Sequence, residues 1–221
     1  MIPIVVNSCD NHEFIWGMWK YFLEKYWNFN AFPIVYFLTE EKSIKFNNEH
    51  IINLAIGRKP WSNFIFDAID ILKTDYMFFM MDDHIPIKML DTKVLNDIYN
   101  IFLQRNFDRF GIMMKYHPLQ EPCVMCNINN YDVYMLLQQS GYISSFQPSF
   151  WKTSFFKDII EDNWTPWDGE LKGTEKARHL PSLANVGYTI QKKWYLEALT
   201  HSKPIIDNWN ILIKMMEKNE I

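Results

Sequence analysis

Between residues 76 and 86 the chain reads YMFFMMDDHIP, an apolar run that stops abruptly at two adjacent carboxylates and an imidazole. Polar Thr74 and Asp75 precede the run and Pro86 follows it, so residues 76–81 read as a short strand buried on both faces. A strand of that kind needs a covering layer on each side, which points to an α/β class built on a mostly parallel sheet. Ligands of open α/β sheets bind beyond the C-terminal ends of the strands, where Asp82 and Asp83 fall. Two carboxylates side by side repel each other unless a cation or protons compensate. The predicted chemistry is a divalent metal holding a phosphate-bearing substrate; the alternative is a solvated strand end with acidic turn residues.

The flanking sequence supplies the covering layers. Residues 2–6 form a β-branched strand, residues 7–11 a polar loop, and Phe14, Ile15, Met18, Trp19, Phe22 and Leu23 recur at helical spacing up to residue 26. Residues 33–38 and 51–56 read as further strands. Ser62 is a candidate N-cap for a helix over residues 63–72, whose Phe64, Ile65, Ala68, Ile69 and Leu72 share one face. These units predict a Rossmann-like half, residues 1–110, with right-handed crossovers, helices on both faces and a nucleotide-binding edge.

Residues 111–221 predict a smaller mixed half. After a helix over residues 91–103, residues 111–116 read as a strand, 118–130 as a loop rich in Pro and Asn, and 131–138 and 143–151 as strands. A short helix over 154–161, a loop over 164–173, a helix starting near Leu171 or Thr174, and an amphipathic closing helix over 207–218 complete the chain. With 221 residues, 48% of them hydrophobic, both halves fit one domain spanning residues 1–221. No internal repeat or low-complexity segment appears.

Composition excludes several classes. A net charge of −4 argues against a nucleic-acid-coating surface, so any phosphate recognition is local. Three cysteines do not make a secreted disulfide scaffold, and the N-terminal segment does not read as a signal peptide. No apolar run reaches the ~18 residues of a membrane span. The expectation is a soluble, cytoplasmic protein, its oligomeric state left open. Aromatic residues reach 17%, which suits either a cleft offering flat faces to rings or sugars, or an aromatic core.

Further constellations accompany Asp82 and Asp83. In PWDGE, residues 166–170, a carboxylate beside the indole of Trp167 can have its pKa raised toward that of a general base, with Asp168 and Glu170 both candidates; the alternative is an acidic loop anchored by Trp167. His201 and Lys203, in a late loop, could neutralise a leaving diphosphate, or His201 could donate nitrogen to a metal. Arg58 and Lys59, before Trp61, are weaker candidates for phosphate or base contact. Cys123 and Cys126 form a CxxC with His117 upstream, but no fourth ligand completes a structural zinc site. Glycine-rich phosphate loops are absent, which removes most support for an ATPase or a dehydrogenase.

In order and spacing these pieces resemble the GT-A type glycosyltransferases that use nucleotide-diphosphate sugars, and most of all the small surface-polysaccharide glycosyltransferases of bacteria and large DNA viruses. The resemblance runs from about residue 3 to residue 204 and is carried by Asn7, Ser8, Cys9 and Asp10 after the first strand, Trp61 and Ser62 leading a helix, and the strand ending in Asp82, Asp83 and His84. Ser144, Gln147 and Trp151 and the Pro166, Trp167, Glu170 motif complete it. It implies a donor site where the acidic motif, a variant of Asp-x-Asp, contacts the sugar nucleotide and its Mn²⁺ or Mg²⁺. Asp83 is then the direct metal ligand, with Asp82 as a second ligand or orienting the ribose or sugar, and His84 as a third candidate of open role. Asn7, Ser8, Asp10, Arg58, Trp61, Ser62, Asp82, His201 and Lys203 are the candidate donor-binding set. Glu170 is the first candidate for the base and Asp168 the second.

The implied function is metal-assisted, inverting transfer of a sugar, with a UDP-sugar favoured, to a glycan or other hydroxyl acceptor. A metal-dependent nucleotidyltransferase and a non-catalytic carbohydrate-binding module are the alternatives. The first lacks here its usual Gly- and Lys-rich N-terminal phosphate loop.

Overall fold

A computed structural model describes residues 2–114, 122–182 and 184–218. Its centre is a nine-stranded sheet in the spatial order β3-β2-β1-β4-β9-β6-β10-β8-β7. The first four are β1 (Ile4–Asn7), β2 (Val35–Thr39), β3 (Ile51–Ala55) and β4 (Tyr76–Met81), all parallel. The second half adds β6 (Arg109–Met113), β7 (Pro122–Ile128), β8 (Tyr131–Leu136), β9 (Ser149–Lys152) and β10 (Val186–Ile190). Only β8 and β9 run against the rest, so the sheet is mostly parallel with a mixed second half.

Alternation along β4 shows why both faces are covered. Phe78 and Met80 point into one apolar layer with α1 (Glu13–Tyr26), α3 (Thr92–Gln104) and α6 (Ile206–Glu217). Met77 and Phe79 point into the other, with α2 (Trp61–Leu72), α4 (Thr153–Ile159) and α5 (Pro166–Arg178). All four side chains are fully buried, each stabilising the fold by about 1.5–3 kcal/mol. Two small ribbons stand outside the sheet: β5 (His84–Pro86) pairs with β11 (Tyr195–Glu197), and β12 (Leu199–Thr200) with β13 (Lys203–Pro204).

Several sequence-based boundaries are corrected. The loop expected over residues 118–130 contains β7, because Asn129 and Asn130 both take positive φ, 50° and 69°, and turn the chain into a hairpin with β8. The part of that loop before Pro122, and the end of the strand expected over 111–116, lie outside the described residues, as do His117 and the Cys123 side chain. Of the strand expected over 143–151 only Ser149 onward is strand; Ile143 and Phe146 are buried from an irregular segment that covers the second apolar layer. The loop expected over 164–173 is the first part of α5, capped by Thr165 and entered through Pro166. Ser62 is not an N-cap: α2 starts at Trp61, and the buried Ser62 hydroxyl accepts the Trp164 N–H at 2.9 Å. β10, buried between β6 and β8, was not assigned from sequence. No described helix is long and apolar enough to cross a membrane.

Candidate active site

Asp82 follows the last residue of β4, and its N–H donates to the Asn7 carbonyl at the end of β1, extending the strand pairing by one step. The side chain is therefore directed by the two central strands, and only 2% of the residue is exposed. One carboxylate oxygen accepts the Ser8 hydroxyl, which itself accepts the Trp16 indole N–H at 2.7 Å. His12 faces both oxygens, with Nδ1 at 3.0 and 2.9 Å, and its Nε2 lies 2.9 Å from the Ser202 hydroxyl. Burial alone would lower the His12 pKa, but hydrogen bonds and charge from Asp82, with Cys9 adding, raise it to about 10. Serine, imidazole and carboxylate thus stand in the order of a nucleophile, base and orienting acid. The ring is already protonated at neutral pH, so it acts as a clasp and not as a base.

Asp83 turns the other way. Its Oδ1 pairs with Nδ1 of His84 at 2.6 Å, and Asp83 keeps 35% of its side chain exposed. His84 is buried on β5, opposite Glu197 of β11 and edge-on to the Tyr195 ring at 5.1 Å. Burial opposes its protonation, but Asp83, Glu197 and Glu170 together raise its pKa.

These facts separate the three candidate metal ligands. Among the described residues no group of three His, Cys, Asp or Glu is gathered to hold a metal alone. Mg²⁺ and Mn²⁺ sites commonly use one or two carboxylates and leave the remaining positions to substrate phosphates and water. Asp83, partly exposed at the cleft, fits that pattern; His84, paired with it at 2.6 Å, would have to give up its proton to add a nitrogen. Asp82 does not, because Ser8 and His12 already engage its oxygens.

Glu170 comes from the second turn of α5. Its Oε1 accepts the Phe146 N–H at 2.9 Å. Burial pushes its pKa up, partly offset by that amide and by Arg109. Asp168, two residues earlier, differs in every respect: it closes a capping box with Thr165 and pairs with Lys172 at 2.8 Å. Lys172 and Thr165 hold its carboxyl down at about 2, an environment opposite to that of Glu170.

Two adjoining cavities lie along this edge. One, of about 340 Å³, is lined by Asp83, His84, Gln147, Glu170, Glu197 and His201, among others. The second, of about 410 Å³, includes Asn7, Ser8, Cys9, Lys59, Trp61 and Thr165. His12, Met81, Asp82, Pro166, Trp167 and Ser202 line both and form the waist between them. A larger open depression of about 700 Å³ between α2 and α4 contains none of the residues at the strand ends.

The other candidates divide. Asn7, Ser8 and Trp61 line the second cavity and His201 the first, where its ring stacks on Trp167 with centroids 5.4 Å apart. Asp10, Arg58, Ser62 and Lys203 line neither. Asp10 accepts the backbone N–H groups of Glu40, Glu41 and Lys42, and Arg58 pairs with Asp10 at 3.8 Å and with Glu40 at 3.7 Å. Sequence reasoning missed His12, Glu197 and Ser202. His12 was detectable, because it follows β1 at the same sheet edge that singled out Asp82; Glu197 and Ser202 reach the cleft only through the outlying ribbons.

No family profile matches the chain, and no curated protein matches it. Solved structures resemble it in fold. An apo UDP-glucose pyrophosphorylase superposes with a TM-score of 0.58 at 8% identity, covering 100% of both chains. S. aureus TarS 1-349 in complex with UDP-GlcNAc gives a TM-score of 0.54 at 14% identity, covering 89% of this chain and 58% of that one. The same TarS 1-349 with UDP gives 0.55 at 13% identity, over 98% and 64%. The chain thus spans about three-fifths of these TarS 1-349 chains and 38% of a longer TarS chain. At these identities the likeness establishes an α/β fold with a large, mostly parallel sheet.

Proposed function

We propose that the protein is a glycosyltransferase that moves a sugar from a nucleotide-diphosphate sugar, preferably a UDP-sugar, to a hydroxyl acceptor. The observation that carries this reading is Glu170: a carboxylate whose pKa is raised by burial, lining the same cavity as Asp83 and His84 at the ligand-bearing edge. TarS and UDP-glucose pyrophosphorylase structures that hold UDP, UDP-GlcNAc or UDP-glucose support a nucleotide sugar as the ligand class.

In this mechanism Glu170 takes the proton of the acceptor hydroxyl. The acceptor oxygen bonds to the anomeric carbon as the bond from that carbon to the diphosphate oxygen breaks, inverting the centre. His201, stacked on Trp167, lines the cleft and would offer a ring N–H to the departing nucleoside diphosphate. Mn²⁺ or Mg²⁺, held by Asp83, with His84 joining only as the neutral imidazole, would supply Lewis-acid neutralisation of that diphosphate.

A panel of UDP-, GDP- and dTDP-sugars, assayed with and without Mn²⁺ for hydrolysis and transfer, tests the reading, and silence across the panel refutes it. Glu170→Gln should lower turnover by about 10²–10⁴-fold with donor binding retained. Full-length likeness to a pyrophosphorylase favours a second reading, nucleotidyl transfer. Its signature is diphosphate release from a nucleoside triphosphate and a sugar 1-phosphate. Residues 8–12, which follow β1, contain neither Gly nor Lys to cradle a triphosphate, which favours glycosyl transfer.

A further inference from the structure

Arg109, on β6, is wholly buried yet makes no ion pair among the described residues. Its Nη1 donates to the Ile143 carbonyl at 3.3 Å and its Nη2 to the Ser149 hydroxyl at 3.1 Å, while Nε has no partner. The guanidinium lies 5.5 Å from the Trp151 ring centroid. A buried charge held by two neutral acceptors is costly, so its location asks for a role. The two groups it grips are the ends of residues 143–149, an irregular stretch that enters β9 at Ser149. Within that segment Phe146 donates its N–H to Glu170, Gln147 lines the first cavity, and the Ser149 hydroxyl returns to the Gln147 carbonyl at 2.6 Å.

We propose that Arg109 is a positioning residue for Glu170: by tying down both ends of residues 143–149 it fixes the Phe146 amide that holds the carboxylate at the cleft. This rests on the reading of Glu170 as the base. The cation has a second effect of the same direction, since its charge favours ionised Glu170 against burial and against Asp83. The other charged or titratable groups around the pair are His84 from β5, and Tyr195 and Glu197 from β11.

The test is kinetic, on Arg109→Met, Arg109→Lys and Ser149→Ala. Arg109→Met should lower kcat at least tenfold with donor KM within twofold, and should move the acidic limb of the pH profile to higher pH, because Glu170 then loses a favourable charge. Arg109→Lys should restore the limb without restoring full kcat, and Ser149→Ala should lower kcat several-fold with the limb unmoved. A folded Arg109→Met variant with unchanged kcat and limb overturns the proposal, as does one that loses only donor affinity. If Arg109→Met does not fold, unchanged kcat in Ser149→Ala overturns it. Should the wild type be silent on every donor, the transferase reading fails by itself, and the brace is read from melting temperatures. Arg109→Lys and Glu170→Gln should then be non-additive in the double variant, and strict additivity overturns the proposal.

Discussion

His12 and Asp82, seventy residues apart, face each other with the imidazole Nδ1 3.0 and 2.9 Å from the two carboxylate oxygens. The pair ties the turn after β1 to the end of β4, and through Ser202 it also fastens the tip of the β12–β13 hairpin over the cleft. His12→Ala leaves a buried carboxylate without its counter-charge and should destabilise the protein by about 3 kcal/mol near pH 6. The folded-state pKa of His12 is raised to about 10 from 6.5, so its contribution is complete below pH 6.5 and is lost as pH rises through about 10. Urea titrations of wild type and variant should therefore converge with rising pH. A gap that stays constant from pH 6 to above 10 would show that the charge pair is not its source.

Asp168 and Glu170 were indistinguishable as candidate bases on spacing, and the structure gives them opposite environments. Asp168→Asn should leave kcat within about threefold, because no reacting group depends on a helix cap, whereas Glu170→Gln loses the proton acceptor. Thr165→Ala, which removes the other half of the cap, should cost about 1 kcal/mol of stability with kcat likewise retained. Both are read by steady-state turnover beside thermal melts. A large loss of kcat in Asp168→Asn with Glu170→Gln active would exchange the two roles.

What the sequence disclosed follows from how local each signal is. The β4 strand was legible because residues 76–81 carry their own pattern, and the sheet edge that they define located Asp82 and Asp83. On spacing Glu170 was one of two carboxylates and only the resemblance ranked it first; the physical difference between them lies in the helix start at Thr165 and the Phe146 amide, which no local pattern reveals. The clasp on Asp82 was hidden for the same reason: His12 reaches it from 70 residues away, and Ser202, 190 residues from His12, meets the other nitrogen of that ring. Arg109 stands in a strand whose five residues are all buried, and its charge becomes meaningful only when residues 143–149 fold against it.

Gly169 sets two effects against each other. Alanine in a helix interior is favoured over glycine by about 1 kcal/mol. A Cβ here would stand 2.8 Å from the Trp61 ring and 2.9 Å from the Phe146 ring, which already pack with centroids 4.7 Å apart. Overpacking of that kind costs about 1–3 kcal/mol, so Gly169→Ala should be destabilising on balance. Displacing Phe146 also moves the amide that holds Glu170, so kcat should fall together with stability. A variant with a higher melting temperature and full activity would mean that the two rings move apart freely.

Asp83 and Asp82 should respond oppositely to metal. Mn²⁺ and a nucleoside diphosphate that bind only the folded state at about 100 times their dissociation constant add about 2.7 kcal/mol. For a chain of this size that is a rise of about 5–10 °C in melting temperature. Asp83→Asn removes a partly exposed carboxylate at the cleft that also faces the buried His84 at 2.6 Å, so it should abolish the Mn²⁺-dependent part of the rise even where the metal-free melt falls. Asp82→Asn should do the reverse, lowering the metal-free melt because the His12 imidazolium loses its counter-ion, while any remaining folded protein still gains from Mn²⁺. An Asp83→Asn protein that keeps the full Mn²⁺ increment would place the metal elsewhere.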